Sequence, residues 1–154
     1  DLLDRLGKGS FSKLKAKVKK RLLEIAGEIV STAAKRALIK APKISFDPKE
    51  LKEFQQLSGF EYTQDQKDAI DDILKDLESG KIMDRLLSGD VGFGKTEVAL
   101  NVIYASYRSG YQSAFVVPTT LLSAQHFRTI DERFRDLKIR YAKIDRFVSA
   151  KDKK

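Results

Sequence analysis

Arg85-Leu86-Leu87-Ser88-Gly89-Asp90-Val91-Gly92-Phe93-Gly94-Lys95-Thr96 runs from an apolar segment through a glycine loop into a helix start. Gly89, Gly94, Lys95 and Thr96 fill the fixed positions of G-x-x-x-x-G-K-[ST]. That spacing predicts a phosphate-binding loop between a strand and a helix. Backbone N–H groups must converge on polyphosphate oxygens, and residues without a Cβ, Gly92 included, let the main chain come close. Asp90, Val91 and Phe93 belong to the same nucleotide contact. Lys95 would set a cation beside the β- and γ-phosphates, and Thr96 would offer its hydroxyl to Mg²⁺. The helix expected over residues 97–109 directs the positive end of its dipole at the anion. A chance strand–turn–helix is the competing reading, and the apolar segment and helix on either side argue against it.

Downstream, Gly110 ends that helix and Ser113-Ala114-Phe115-Val116-Val117 reads as a second buried strand. Pro118-Thr119-Thr120 follows, then a helix from 121 to about 134. Hydroxyls and N–H groups at such a junction suit a phosphate, of nucleotide or of a nucleic-acid strand, while capping by Thr119 or Thr120 explains them equally. Residues 139–144 alternate as a third strand. Beyond them Arg146 and Lys151 are candidate phosphate contacts. Strand–loop–helix three times over predicts a parallel α/β sheet with its ligand beyond the carboxyl ends of the strands. The loops at Gly89, Thr119 and Arg146 all fall on that side.

Upstream, Thr63 followed by Gln66 forms a capping box for a helix over 64–79. Gln66 either closes that cap or reaches an adenine edge with its amide, which carries both a donor and an acceptor. Pro48 starts a short helix to 57. Over 12–40, Leu14, Val18, Leu22, Ile25, Ile29 and Ala33 recur every three or four residues, predicting an amphipathic helix of about 40 Å.

Composition narrows the field. The chain of 154 residues is 42% hydrophobic, enough for roughly one domain. It contains no cysteine and one histidine, His126, so disulfides, thiolate zinc sites and multi-histidine metal sites are excluded. Any metal is expected to be Mg²⁺ arriving with nucleotide. No long uncharged apolar run or signal peptide is present, which predicts a cytoplasmic protein without a membrane partner. Of the net charge of +8, residues 1–50 carry +7, and residues 8–21 hold seven basic residues and no acid. A polyanion partner and a solvated helix face explain that block equally. The start at Asp1 and the Lys-Asp-Lys-Lys end read as a piece of a longer protein.

The spelling Gly89-Asp90-Val91-Gly92-Phe93-Gly94-Lys95-Thr96-Glu97-Val98-Ala99, with Val117-Pro118-Thr119-Thr120-Leu121-Leu122 and Gln125-His126, closely resembles the bacterial transcription-repair coupling factors, superfamily 2 DNA translocases. The related branch-migration helicases typically carry Ser in place of Phe93. The resemblance covers nearly the whole chain and implies ATP and Mg²⁺ as cofactors and double-stranded DNA, RNA polymerase and excision-repair proteins as partners of the parent. It implies that residues 1–11 leave a polymerase-interacting domain, that 12–41 form a long linking helix, and that 42–154 begin a RecA-like motor lobe. Phe60 and Gln66 then fall in its adenine-recognition segment. Gln125 joins Thr119 and Thr120 as a DNA contact, and Arg146, Ser149 and Lys151 match its Arg-Phe-x-Ser-x-Lys DNA segment.

Two residues depart from that pattern: Phe11 stands where Trp is common, and Asp145 where Ser usually precedes Arg-Phe. The family also needs an Asp-Glu pair after a further strand, and arginine fingers from a second lobe. Ile130-Asp131-Glu132 lies in a helical pattern and does not qualify. The chain is therefore expected to hold nucleotide without hydrolysing it. A small P-loop phosphotransferase and a non-catalytic interaction module with a vestigial loop are the rivals from other classes.

Overall fold

Helices whose ends are written in the sequence dominate residues 10–148, the part described by the computed structural model. Five α-helices form: α1 (Ser10–Leu38), α2 (Pro48–Gln56), α3 (Gln64–Glu78), α4 (Lys95–Arg108) and α5 (Thr120–Phe134), followed by a 3-10 turn at Arg135–Leu137. The chain divides into two units, 1–41 and 42–154. The described residues of the first, 10–41, contain one helix, α1.

In the second unit, local chemistry sets each helix start. The Asp47 carboxylate accepts from the Lys49 N–H at 2.8 Å, with Pro48 in the first turn of α2. The Thr63–Gln66 capping box forms as its spacing predicts, opening α3. Thr119 accepts from the Leu122 N–H at 3.2 Å and opens α5. Each cap satisfies an N–H group that a helix leaves orphaned at its first turn.

α4 is the central element and packs against both α2 and α3. Leu51 and Phe54 of α2, Ile70, Ile73 and Leu74 of α3, Val98, Leu100, Tyr104 and Ala105 of α4, and Phe134 of α5 make one buried cluster with Tyr62. Within it the Phe54 ring stacks on Tyr104, with centroids 4.3 Å apart and planes 7° from parallel, and leans on Phe134 at 5.7 Å. Offset stacking of this kind adds to the area the rings remove from water. Glu50 pairs with Arg108, and the Ser109 hydroxyl donates to the Ser45 carbonyl at 2.6 Å, clamping α4 to the start of α2.

The parallel sheet expected from the three apolar segments is not formed among the described residues. Segments 85–88, 113–117 and 139–144 are non-helical, and no backbone hydrogen bond joins them there. Leu86 and Val116 are each 89% exposed and Ile144 74%, where buried strands would hide them. A helix closes its own hydrogen bonds, whereas a strand needs a neighbour about 4.8 Å away to take its N–H and C=O groups. Apolar alternation therefore signals a segment suited to a sheet without supplying the partner that makes one.

Candidate nucleotide loop and phosphate groove

The glycine loop turns into α4 through two left-handed residues, Gly92 at φ +86° and Gly94 at φ +73°. Two features favour glycine at 94. Its left-handed backbone strains any residue with a side chain, and a Cβ there would stand 2.4 Å from Gln66 Nε2, so that amide would have to move. Among the described residues no side chain caps α4. The Lys95 ammonium folds back across the loop mouth and donates to the carbonyls of Gly89 (2.7 Å) and Asp90 (2.6 Å). An uncapped, positively polarised helix end thus lies beside a cation held only by loop carbonyls. An incoming anion can take over that cation directly. Val91 and Phe93 are exposed. Thr96 is half-buried in the first turn of α4, where one hydroxyl could join phosphate oxygens around Mg²⁺. Among the described residues no three carboxylate or imidazole groups gather into a metal cage.

Gln66 performs two tasks at once. Its Oε1 accepts from the Thr63 N–H at 3.0 Å, closing the α3 cap, and its Nε2 donates to the Phe93 carbonyl at 3.0 Å. The amide therefore ties the start of α3 to the glycine loop. Phe60, in the segment leading to it, is 51% exposed, with its ring tilted against Tyr62 at 5.4 Å.

A buried polar cluster behind the loop was not anticipated from the sequence. Glu97, in the first turn of α4, receives Arg133 of α5 on both carboxylate oxygens, at 3.2 Å to Oε2 and 2.6 Å to Oε1. Tyr62 donates its hydroxyl to Glu97 Oε1. Asn101, fully buried, donates to the Tyr62 hydroxyl at 3.2 Å and to the Glu97 carbonyl at 2.8 Å, and accepts from Gln55 at 3.1 Å. Arg133 also donates to the Phe54 carbonyl at 3.2 Å, with its guanidinium 4.3 Å above the Phe54 ring. Glu97 and Asn101 lie one turn apart on the face that buries Val98 and Ala105, and this spacing was the available signal. Nothing in the local sequence points to Arg133.

Burial, reinforced by the bond to the Glu97 carboxylate, pushes the Tyr62 phenol up to about 12. In the unfolded chain the phenol ionises near pH 10, so the folded state holds the proton longer. The stabilisation is complete below about pH 10 and is lost as pH rises through about 12. Urea titrations across that window should show wild type losing about 2 kcal/mol more than Tyr62→Phe. Parallel pH curves for the two proteins would contradict the raised phenol.

Thr119, Thr120 and Arg146 line one groove of about 1320 Å³ between residues 110–120 and 139–146. Lys143 and Asp145 share that lining, and no glycine-loop residue does. The three loops expected side by side thus divide, with two at the groove and the nucleotide loop outside it. Capping occupies the Thr119 hydroxyl, while Thr120 is the half-buried first residue of α5. Gln125 is exposed and outside the groove lining. Arg146 lies over the Phe147 ring at 4.7 Å. Ser149 and Lys151 lie outside the described residues.

Asp145, the acid beside this basic turn, faces inward. Its Oδ1 accepts from the Phe147 N–H at 2.8 Å, and its buried Oδ2 has no hydrogen bond but sits 3.0 Å from the Lys143 ammonium. Lys143, followed by the Phe147 N–H, holds this carboxyl below its usual range. The carboxylate shapes the turn and has a local countercharge. Asp131 is engaged by Arg135 and Tyr141 on the side of α5.

The profile of the DEAD/DEAH box helicase family matches residues 63–154. The chain is 56% identical over 150 residues to the transcription-repair-coupling factor of Helicobacter pylori (strain ATCC 700392 / 26695), covering 97% of this chain and 15% of that protein. It is 45% identical over 156 residues to the transcription-repair-coupling factor of Rickettsia bellii, covering 99% of this chain and 14% of the relative. The protein of the same name from Staphylococcus haemolyticus is 40% identical over 152 residues, at 99% and 13% coverage. The chain therefore spans 13–15% of the length of these curated relatives.

Proposed function

This chain belongs to the DEAD/DEAH box helicase family, and from that premise we propose that it is the nucleotide-holding part of an ATP-driven double-stranded DNA translocase of the transcription-repair-coupling kind. The whole protein would push stalled RNA polymerase from DNA and recruit excision repair in the cytoplasm. Residues 1–11 would lead from its polymerase-contacting domain, and 12–41 would link that domain to the motor. Residues 42–154 would begin a RecA-like lobe, whose ladder requires strand partners that the described segments do not find in one another. No helix among the described residues is long and apolar enough to cross a membrane.

The observation that carries this reading is the Lys95 ammonium held inside a glycine loop at the uncapped start of α4. Lys95 and Thr96 hold the β- and γ-phosphates and their Mg²⁺, with loop amides around them. Gln66 reconciles cap and base recognition. One Nε2 hydrogen goes to Phe93 and one Oε1 lone pair to Thr63, which leaves one donor and one acceptor for an adenine edge beside Phe60. At the groove, Thr120 and Arg146 touch phosphates of a DNA strand, with Thr119 contributing through the helix start it caps. Hydrolysis requires an acid pair and a second lobe, so the chain binds nucleotide without turnover.

Calorimetry with Mg·ATP and Mg·ADP, phosphate release with duplex DNA present, and a salt titration of DNA affinity test this together. Binding without turnover is expected, with log affinity falling against log salt at a slope of about −2 to −3 for two to three phosphates. A flat salt dependence would remove the DNA contacts. Turnover would mean that these residues contain a catalytic carboxylate.

A further inference from the structure

The turn that carries Arg146 into the groove is built by an acid. Asp145 Oδ1 accepts from the Phe147 N–H at 2.8 Å, and the Asp145 carbonyl accepts from the Val148 N–H at 3.4 Å. An aspartate that takes the N–H two residues on fixes a turn locally. Arg146 stands inside that turn, exposed, with its guanidinium 4.7 Å above the Phe147 ring. An uncharged amide could make the same bond, so the turn does not account for the charge. That charge faces the other way. The Asp145 side chain is 5% exposed, and its Oδ2 accepts no hydrogen bond among the described residues. The Lys143 ammonium sits 3.0 Å from it, on a side chain 29% exposed. Arg140, Lys143, Asp145 and Arg146 all line the groove. A carboxylate beside a phosphate path repels the phosphate unless a cation stays with it.

We propose that Asp145 is a positioning residue that sets how strongly the groove holds a duplex DNA strand: it shapes the turn that presents Arg146 and keeps Lys143 from the phosphates. Of the three cations in the groove lining, Lys143 is neutralised where it stands. Its departure to a phosphate would strand a buried carboxylate. The penalty for an unpaired buried charge outweighs what one solvent-exposed ion pair contributes, so Lys143 stays. The groove therefore grips less tightly than its count of basic residues suggests. Removing the Asp145 charge alone, with the turn kept, releases Lys143 and adds one phosphate contact.

The proposal rests on the DNA contacts inferred above, and its test separates the two. Fluorescence anisotropy measures the affinity of the 154-residue chain for a short duplex DNA across a salt series. Asp145→Asn keeps an amide oxygen for the Phe147 N–H and removes the charge. It should bind about 2- to 5-fold more tightly at low salt, the worth of one exposed ion pair. Its slope of log affinity against log salt should steepen by about 0.9, the value for one added phosphate. Lys143→Met should weaken binding at an unchanged slope, because Asp145 then stands uncompensated. Asp145→Asn combined with Lys143→Met should return the slope to that of wild type. Neither Asp145→Asn nor the combination buries an unpaired charge, so both report even if Lys143→Met fails to fold. An unchanged slope in Asp145→Asn, whatever its melting temperature, would make the pair structural only and overturn the proposal. A shallower slope in Lys143→Met would make Lys143 a phosphate contact oriented by Asp145, and would overturn it as well. Wild type that binds no DNA would remove the groove reading beneath it, and the proposal with it.

Discussion

Lys95→Ala lowers the affinity for Mg·ATP by about 10- to 100-fold. A hydrogen bond to a charged partner contributes about 1.5–3 kcal/mol, and each 1.4 kcal/mol is tenfold in affinity. The ammonium is already in the loop mouth, where two carbonyls hold it, so phosphate binding exchanges partners without recruiting a distant side chain. Those contacts are peripheral to the core. Stability should therefore change by no more than about 0.5 kcal/mol, which separates lost binding from lost folding. Lys95→Arg should not restore affinity, because a planar guanidinium does not fit where a compact point charge sits between loop carbonyls. Calorimetry on the three proteins decides the matter. Equal affinity in wild type and Lys95→Ala would make the loop vestigial and favour an interaction module.

Phe54→Ala destabilises the second unit by about 3–5 kcal/mol, the range for removing a buried aromatic ring. Phe54 is 1% exposed, stacks on Tyr104, leans on Phe134 and lies under the Arg133 guanidinium. Its loss empties the contact between α2, α4 and α5 and removes the surface on which Arg133 rests. Domains are stable by only about 5–15 kcal/mol, so one substitution takes a large share. Urea unfolding should show a lower midpoint at unchanged slope. Phe115→Ala is the control: that ring is 37% exposed and meets His126 edge-on beside the groove, and its removal should cost under about 1 kcal/mol. Similar losses for both would mean that the core is not organised around Phe54.

The helices and the glycine loop were legible in the sequence because their causes are local. Thr63 and Gln66 are three residues apart and close their own cap. Asp47 and Pro48 start α2, and Gly92 and Gly94 supply the left-handed turns that the loop needs. The resemblance carried by the loop and by Val117-Pro118-Thr119-Thr120 pointed to the relatives that the comparisons found. Gln66 was posed as a cap or a base contact, yet its amide has four hydrogen-bonding capacities, and the structure uses only one donor and one acceptor.

What the sequence determined by itself is therefore what closes within one turn or one loop: the helix positions, the caps of α2, α3 and α5, and a glycine loop with Lys95 and Thr96 at its end. Only the tertiary structure decided which distant groups meet. Arg133 finds Glu97 from 36 residues away. Thr119 and Arg146 share a groove that the glycine loop does not line, and three strand-like segments do not form a ladder among the described residues. The physical reason is common to all three. A helix satisfies its backbone within itself, so sequence spacing suffices to specify it. A buried charge, a groove wall or a strand is satisfied by an atom elsewhere in the chain, and packing alone determines whether that atom arrives.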